Sequence, residues 1–269
     1  MSALLDAVSA GVRVFDLAQP MQPGMPSSPN HPGFRMALIR RHGDMVREDG
    51  SSAANELIVT GGHVGTHVDA LAHVSHLGEL HGGISAAEAQ SGGRFSRHGI
   101  DELTPLVTRG VLLDVAAARG VDPLPGGFAI GPDDLEAALE RAAVELGPGD
   151  AALVRTGWAR HFGDPEAFLG HATGVPGPTE EGARWLADRG VRLTGSDTTA
   201  YEEVPAGQGH RVLPVHRLLL VERGVHIVEM LDLEGLSRAG VHEFCFVLAP
   251  LKLIGATGSP VRPLAVVDA

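Results

Sequence analysis

The sequence predicts an α/β fold, organised as a single compact domain over residues 1–269. Three observations carry that expectation. Between residues 111 and 231, runs with the two-residue period of a strand alternate with runs that have the period of a helix. Asp114, Thr156, Asp197 and Glu229 each close an apolar run, and strand ends are where open α/β sheets place ligands, although Asp114 and Thr156 suit helix caps or turns equally well. No repeat, low-complexity tract or long linker divides the chain, and 269 residues with 43% hydrophobic content suffice for one full-sized core.

The elements follow in order. The first fifty residues read as irregular, because Pro20, Pro23, Pro26, Pro29 and Pro32 suit neither a helix interior nor a central strand, and a loop laid over the body of the domain fits them. Residues 111–115 predict a strand. Residues 133–146 predict an amphipathic helix with Pro132 in its first turn and Gly147 at its end. A strand follows at 151–155, then a helix at about 179–189 stopped by Gly190, a strand at 191–194, a helix near 214–222 and a strand at 225–231. Two further strand-like runs, 244–253 and 263–267, flank the glycine-rich turn at 255–258; they either complete a barrel-like β core or add edge strands.

Composition excludes several kinds of chemistry. A formal net charge of -12 opposes binding to nucleic acid or to anionic membranes. Lys252 is the sole lysine and lies between Leu251 and Leu253, so Schiff-base chemistry has almost no nucleophile, and without a Gly-Lys pair there is no phosphate-cradling loop of the Walker type. Cys245, the sole cysteine, sits between Phe244 and Phe246 as a small buried hydrophobe. No apolar run approaches the roughly 18 residues needed to span a bilayer, and no basic leader precedes Asp6, so a cytoplasmic location is expected.

Histidine is the anomaly. There are 14, and His63, His67, His73, His76 and His81 fall within one short stretch. In a straight strand His63 and His67 would stand about 13 Å apart, too far to share an ion. In a straight helix Asp69 would lie about 200° from His67, and Gly61, Gly62, Gly65 and Thr66 disfavour helix. The segment must bend, and Gly65 permits it. An extended arrival at His63, a glycine turn and a helix entry near Asp69 would bring two imidazoles and a carboxylate together, with His73 one helical turn beyond Asp69. Such nitrogen and oxygen donors, without thiolates, suit Zn²⁺ or Mn²⁺. His76 and His81 are expected behind the ligands or in solvent.

The run His63-x-Gly65-Thr66-His67-x-Asp69-x-x-x-His73 resembles the signature of the metal-dependent cyclase family, which includes bacterial kynurenine formamidases, isatin hydrolases and related cyclic-amide hydrolases. Thr156-Gly157-Trp158, Gly195-Ser196-Asp197, His216 followed by Glu229, Ala249-Pro250-Leu251 and the run from Gly258 to Arg262 extend the resemblance over nearly the whole chain. Leu71 departs from it, standing where the family has proline. The resemblance implies a fold of the swivelling β/β/α type with mixed β-sheets and flanking helices. It implies that His63, His67, Asp69, His216 and Glu229 hold one or two metal ions and that His73 is the acid/base. Glu229 also has support of its own: a carboxylate sharing a strand face with Val225 and Ile227 is costly unless paired or metal-bound. For His216, nearby His210 and Gln208 are alternatives.

A divalent ion held by imidazoles and carboxylates brings the pKa of a bound water toward about 7, giving a hydroxide nucleophile at neutral pH. The absence of a Gly-x-Ser-x-Gly elbow agrees with chemistry that needs no serine. His73 would then accept the water's proton and pass it to the leaving nitrogen. The expected function is hydrolysis of the carbon–nitrogen bond of a small cyclic amide of the isatin or lactam type. An arylformamidase, a metal-dependent cyclase or dehydratase, and a non-catalytic metal or ligand binder are the alternatives. His31 and Phe34, in the proline-rich stretch, and Trp158, which suits stacking on a planar ring, are candidate substrate contacts. A homodimer is expected, from the family resemblance and from the proline and apolar content of the N-terminal segment.

Overall fold

A nine-stranded mixed sheet organises the computed structural model, which describes residues 3–269. Its strands, in chain order, are β1 (Val12–Asp16), β2 (His67–Asp69), β3 (Leu106–Asp114), β4 (Ala151–Arg155), β5 (Leu193–Ser196), β6 (His226–Glu229), β7 (Glu243–Leu248), β8 (Gly258–Pro260) and β9 (Leu264–Asp268). In space they run β1-β9-β7-β3-β4-β5-β6-β2-β8. The four central strands β3 to β6 are parallel, and antiparallel strands flank them on both sides.

Alternation along the central strands sorts their side chains into two layers. Val111, Leu113, Ala152, Val154 and Ile227 face the helices Pro132–Ala142 and Glu180–Asp188 and the turns that follow Pro214. Leu112, Ala151, Leu153, Leu193 and Val228 point the other way and meet Phe15, Val68, Phe246 and Ala265 from the flanking strands. The second layer is the inside of a curl. β8 forms one edge of the sheet and β9 lies next to the other, yet only residues 261–263 separate them in sequence. An antiparallel bridge between Ala18, just past β1, and Leu231, just past β6, draws the two ends together.

Several local expectations change. β3 starts at Leu106, well before 111, and Val115 opens the short helix Val115–Arg119, whose first turn is capped by the Asp114 carboxylate accepting from Ala117 N. The run at 244–253 ends as a strand at Leu248, before Pro250. The first fifty residues are not all loop: residues 12–16 form an edge strand, and Arg35–Arg40 pairs with Asn55–Val59 as a hairpin. Met36, Leu38, Ile39, Leu57 and Ile58 on that hairpin are each half or more exposed.

Arg155 ends β4 and is almost wholly buried. Its guanidinium donates to Asp114 at 2.8 Å, to Asp122 at 2.9 Å and to Glu234 at 2.8 Å. This knot fixes the strand end from which residues 156–158 depart. Arg155→Met should cost about 3–5 kcal/mol in urea unfolding, because it strands buried carboxylates without a counter-charge. A loss under about 1 kcal/mol would mean that Arg160, which also meets Asp122 and Glu234, takes over.

Candidate metal centre

The histidine-rich segment bends at Gly65, as its composition requires, but its exit differs from expectation. Gly65 has φ +68°, and a Cβ there would come within 3.1 Å of Met25 Cε, so glycine serves both the turn and the close packing. After the turn the chain enters the short strand β2 rather than a helix, because His67, Val68 and Asp69 pair on one side with β6 and on the other with β8. A tight turn follows, closed by His73 N donating to Ala70 O at 2.9 Å, and this turn returns His73 to the site. On the far side, Gly258 lets β8 pass under the His63 ring, where a Cβ would fall 2.5 Å from Cε1.

Six side chains converge. His67 Nε2 lies 3.6 Å from Asp69 Oδ1 and 3.5 Å from Glu229 Oε2. His216 Nε2 lies 3.1 Å from Glu229 Oε1 and 3.6 Å from Asp69 Oδ2. His63 Nδ1 is 2.7 Å from Asp69 Oδ1, and its ring stacks on that of His73 with 3.8 Å between centroids. His63, His67, His73, His216 and Glu229 line a cavity of about 210 Å³, and His31 stands in its wall, stacked on His63.

The donor set fits a divalent ion. Asp69 is 1% exposed, and its Oδ2 is buried with no hydrogen-bond partner among the described residues. Such an atom is costly unless a cation or a polar partner meets it. His67 Nδ1 faces Gly65 O at 2.7 Å and His216 Nδ1 faces Glu202 at 2.5 Å, so each ring donates at Nδ1 and turns the lone pair of Nε2 toward the carboxylates. Ligand atoms at about 2.0–2.2 Å from one ion lie about 3 Å from one another, close to the spacings found here. Among the described residues, two groups bring their ligand atoms within 4.8 Å of one another, His67 with Asp69 and Glu229 and His63 with Asp69 and His73, and they share Asp69.

Electrostatics separates the histidines. Burial disfavours charge on His63 and His216, but the hydrogen bond to Asp69 and the charges of Asp69 and Glu229 together outweigh it and raise the His63 pKa, and Glu202 and Glu229 raise that of His216 well above its ordinary value. His73 goes the other way: burial, reinforced by His63, His216 and His67, outweighs Asp69 and lowers it to about 3. Burial also works against the Asp69 carboxylate, yet its imidazole neighbours His73 and His63 hold the pKa below the usual carboxylate range. Protons therefore compete with an ion for His63 and His216 above pH 6.5, the ordinary histidine value. The apparent affinity for Mn²⁺ should rise as pH increases from about 6 to 8, by about tenfold per unit for each proton displaced. Calorimetry in buffers of different ionisation enthalpy checks this, and a flat profile would mean that both rings are neutral before the ion arrives.

The remaining candidates lie elsewhere. Trp158 is 4% exposed, and its Nε1 donates to Phe168 O at 2.8 Å. With Phe34, Met25, Phe162 and Phe168 it forms a buried cluster, and neither Trp158 nor Phe34 is among the residues that line the cavity. His210 reaches the cavity rim, Gln208 does not line the cavity, and His216 takes the position facing Glu229. His76 is exposed, while His81 bonds Val221 O away from the ligands. Two participants escaped the sequence reading. Glu202, 2% exposed, receives His216 Nδ1 and the backbone N–H groups of Val215 and His216, and Thr257 Oγ1 lies 2.9 Å from His63 Nε2. Glu202 sits fourteen residues before its partner in an irregular loop, and no motif announces it.

Comparison with known proteins agrees with this geometry. Residues 15–203 match the family described as putative cyclase. Isatin hydrolase from Roseibium aggregatum is 28% identical over 266 residues, covering 97% of this chain and 94% of that protein. A crystal structure described as a novel cyclase superposes with a TM-score of 0.84 at 28% identity, covering 98% of this chain and 93% of that one. A protein from Bacillus stearothermophilus described as a predicted metal-dependent hydrolase superposes with a TM-score of 0.62 at 26% identity, covering 95% of this chain and 98% of its own.

Proposed function

Since the chain belongs to the putative cyclase family, we propose that it is a metal-dependent hydrolase cleaving the carbon–nitrogen bond of a small cyclic amide of the isatin type. The observation that carries this reading is the convergence of His63, His67, His216 and Glu229 about the buried Asp69 carboxylate, whose Oδ2 has no hydrogen-bond partner among the described residues, with His73 neutral beside them. Similarity to an isatin hydrolase along nearly the full length supports the substrate class.

Bound here, Zn²⁺ or Mn²⁺ would act as a Lewis acid on the scissile carbonyl and lower the pKa of water. The chain's own residues do the rest. Asp69 and Glu229 supply the negative charge that imidazoles lack. Glu202 accepts from His216 Nδ1 and so fixes the ring with Nε2 turned toward Glu229 and Asp69 and makes it a stronger base toward an ion. His73, kept neutral by burial, accepts a proton from attacking water and delivers it to the amide nitrogen as that nitrogen leaves.

Metal-loaded protein should hydrolyse isatin or a bicyclic γ-lactam in preference to N-formylkynurenine, followed by the absorbance of each ring or amide. The opposite preference would make the protein an arylformamidase, and no metal-dependent turnover of any of the three would remove the hydrolase reading. The half-exposed hairpin of residues 35–59 supports a homodimer, because a two-stranded ribbon is marginal alone and a second copy would cover its apolar side chains. Light scattering at micromolar concentration should give twice the 28.0 kDa chain mass, and a single-chain species would refute the dimer.

A further inference from the structure

A second cavity, of about 160 Å³, adjoins the one that holds the metal ligands. Ser28, Asn30, Thr199 and His210 line both, so a molecule filling the two would pass between these four. Beyond them the walls are Pro29, Leu169, Val204 and Pro205, with the loop backbone at Gly170 and Gly209 and the His171 side chain at the margin. No carboxylate, lysine or arginine stands among its lining residues.

The second cavity is held open by backbone bonds. Val175 and Val204 exchange N–H···O bonds of 2.8 and 2.9 Å, and Gly207 N donates to His171 O at 3.0 Å, which ties the 204–209 loop to the chain after the helix Pro165–Leu169. At the junction the polar groups are uncommitted. Among the described residues, nothing hydrogen-bonds to the Thr199 hydroxyl, the Asn30 carboxamide or the His210 ring; Thr199 is only 8% exposed, while Asn30 and His210 are exposed at the mouth. A preformed, mostly apolar recess behind a few unpaired polar groups is how ligand pockets orient a small molecule.

We infer that the substrate is larger than a bare bicyclic amide and carries a neutral, ring-sized group that occupies this second cavity, while Asn30, Thr199 and His210 bond to the connecting atoms. The inference rests on the hydrolase reading for the reacting end. Size sets the limit: an apolar cavity of about 150 Å³ accommodates one benzene ring, so this one takes a single ring and no more. Neutrality follows from a lining that holds no carboxylate, lysine or arginine to pair with a charged group. The pocket sets specificity and takes no part in bond cleavage.

The test uses metal-loaded protein with isatin and a set of isatins bearing one phenyl group at each ring carbon in turn. At least one phenyl isatin should exceed isatin in kcat/KM by about 10-fold to 100-fold, the range that filling an apolar pocket supports. Leu169→Trp, which fills the recess, should bring that ratio back to near one, while Leu169→Ile should keep it. Equal metal content and melting temperature across the variants would show that each is folded. If no phenyl isatin outperforms isatin, or if Leu169→Trp leaves the ratio intact, the inference is overturned. Should none of the compounds be turned over, the hydrolase reading fails separately, and the same ratio is then read as affinity by calorimetry: a phenyl preference that Leu169→Trp abolishes upholds the pocket, and no preference refutes it.

Discussion

Asp69→Ala is expected to yield a folded protein that retains no divalent ion after dialysis and has lost at least about 10³-fold in amide turnover, since it removes a ligand and the charge that anchors the ion. Asp69 belongs to both groups able to hold metal, and its removal leaves His63, His67 and His216 facing one another without the carboxylate between them. Asp69→Asn separates charge from shape: the carboxamide fills the same space, so an equal loss of metal would place the effect in the charge. Metal analysis by mass spectrometry beside circular dichroism reads both. A folded Asp69→Ala protein that keeps a stoichiometric ion and turns over within tenfold of the parent would remove Asp69 from the centre and leave Glu229 as its only carboxylate.

His73→Ala should behave differently, keeping metal and fold while losing about 10²–10⁴-fold in turnover, the usual size of a general acid/base contribution. Its ring lies against His63, and burial holds it neutral, which leaves a ring nitrogen open to a proton that need stay only until the leaving nitrogen takes it. Leaving groups provide the sharper measurement. An activated ester departs with little protonation, so the variant should lose less on an ester than on the matching amide. Equal losses would confine His73 to the water. Loss of the ion along with activity would make His73 a ligand through the group it forms with His63 and Asp69, and the proton would need another carrier.

What could be read from the sequence divides along physical lines. Strands β4 and β6 and the start of the helix at Pro132 were legible because burial is uniform there, or alternates with an unambiguous period, and because proline marks the helix start; the helix end was not, since it stops at Ala142 on a left-handed Ala143, short of the expected Gly147. The start of β3 was not: Val107 is 69% exposed, and Gly110 interrupts the apolar run because its missing Cβ makes room for the Phe244 ring from β7. Strand β1 was hidden for a related reason, lying at the sheet's edge with Val14 half exposed. At the metal centre the spacing of His63, His67 and Asp69 required a bend, which the structure has, but spacing alone could not distinguish a helix entry after Asp69 from a strand closed by a turn. That choice rests with β6 and β8, which lie more than 150 residues further along the chain. Glu202 was invisible because only the tertiary fold brings it to His216.

The position of β2 carries a consequence for how the protein comes into being. The three residues that include His67 and Asp69 gain a neighbour on one side from residues 227–229 and on the other from residues 258–260. A ribosome has therefore to synthesise residues 258–260 before that strand can be seated between both its partners. Domains that wait on such distant pairings fold slowly, with hydrophobic edges exposed in the meantime. The arrangement of side chains described above is therefore a product of the finished sheet, completed long after His67 and Asp69 themselves have been synthesised.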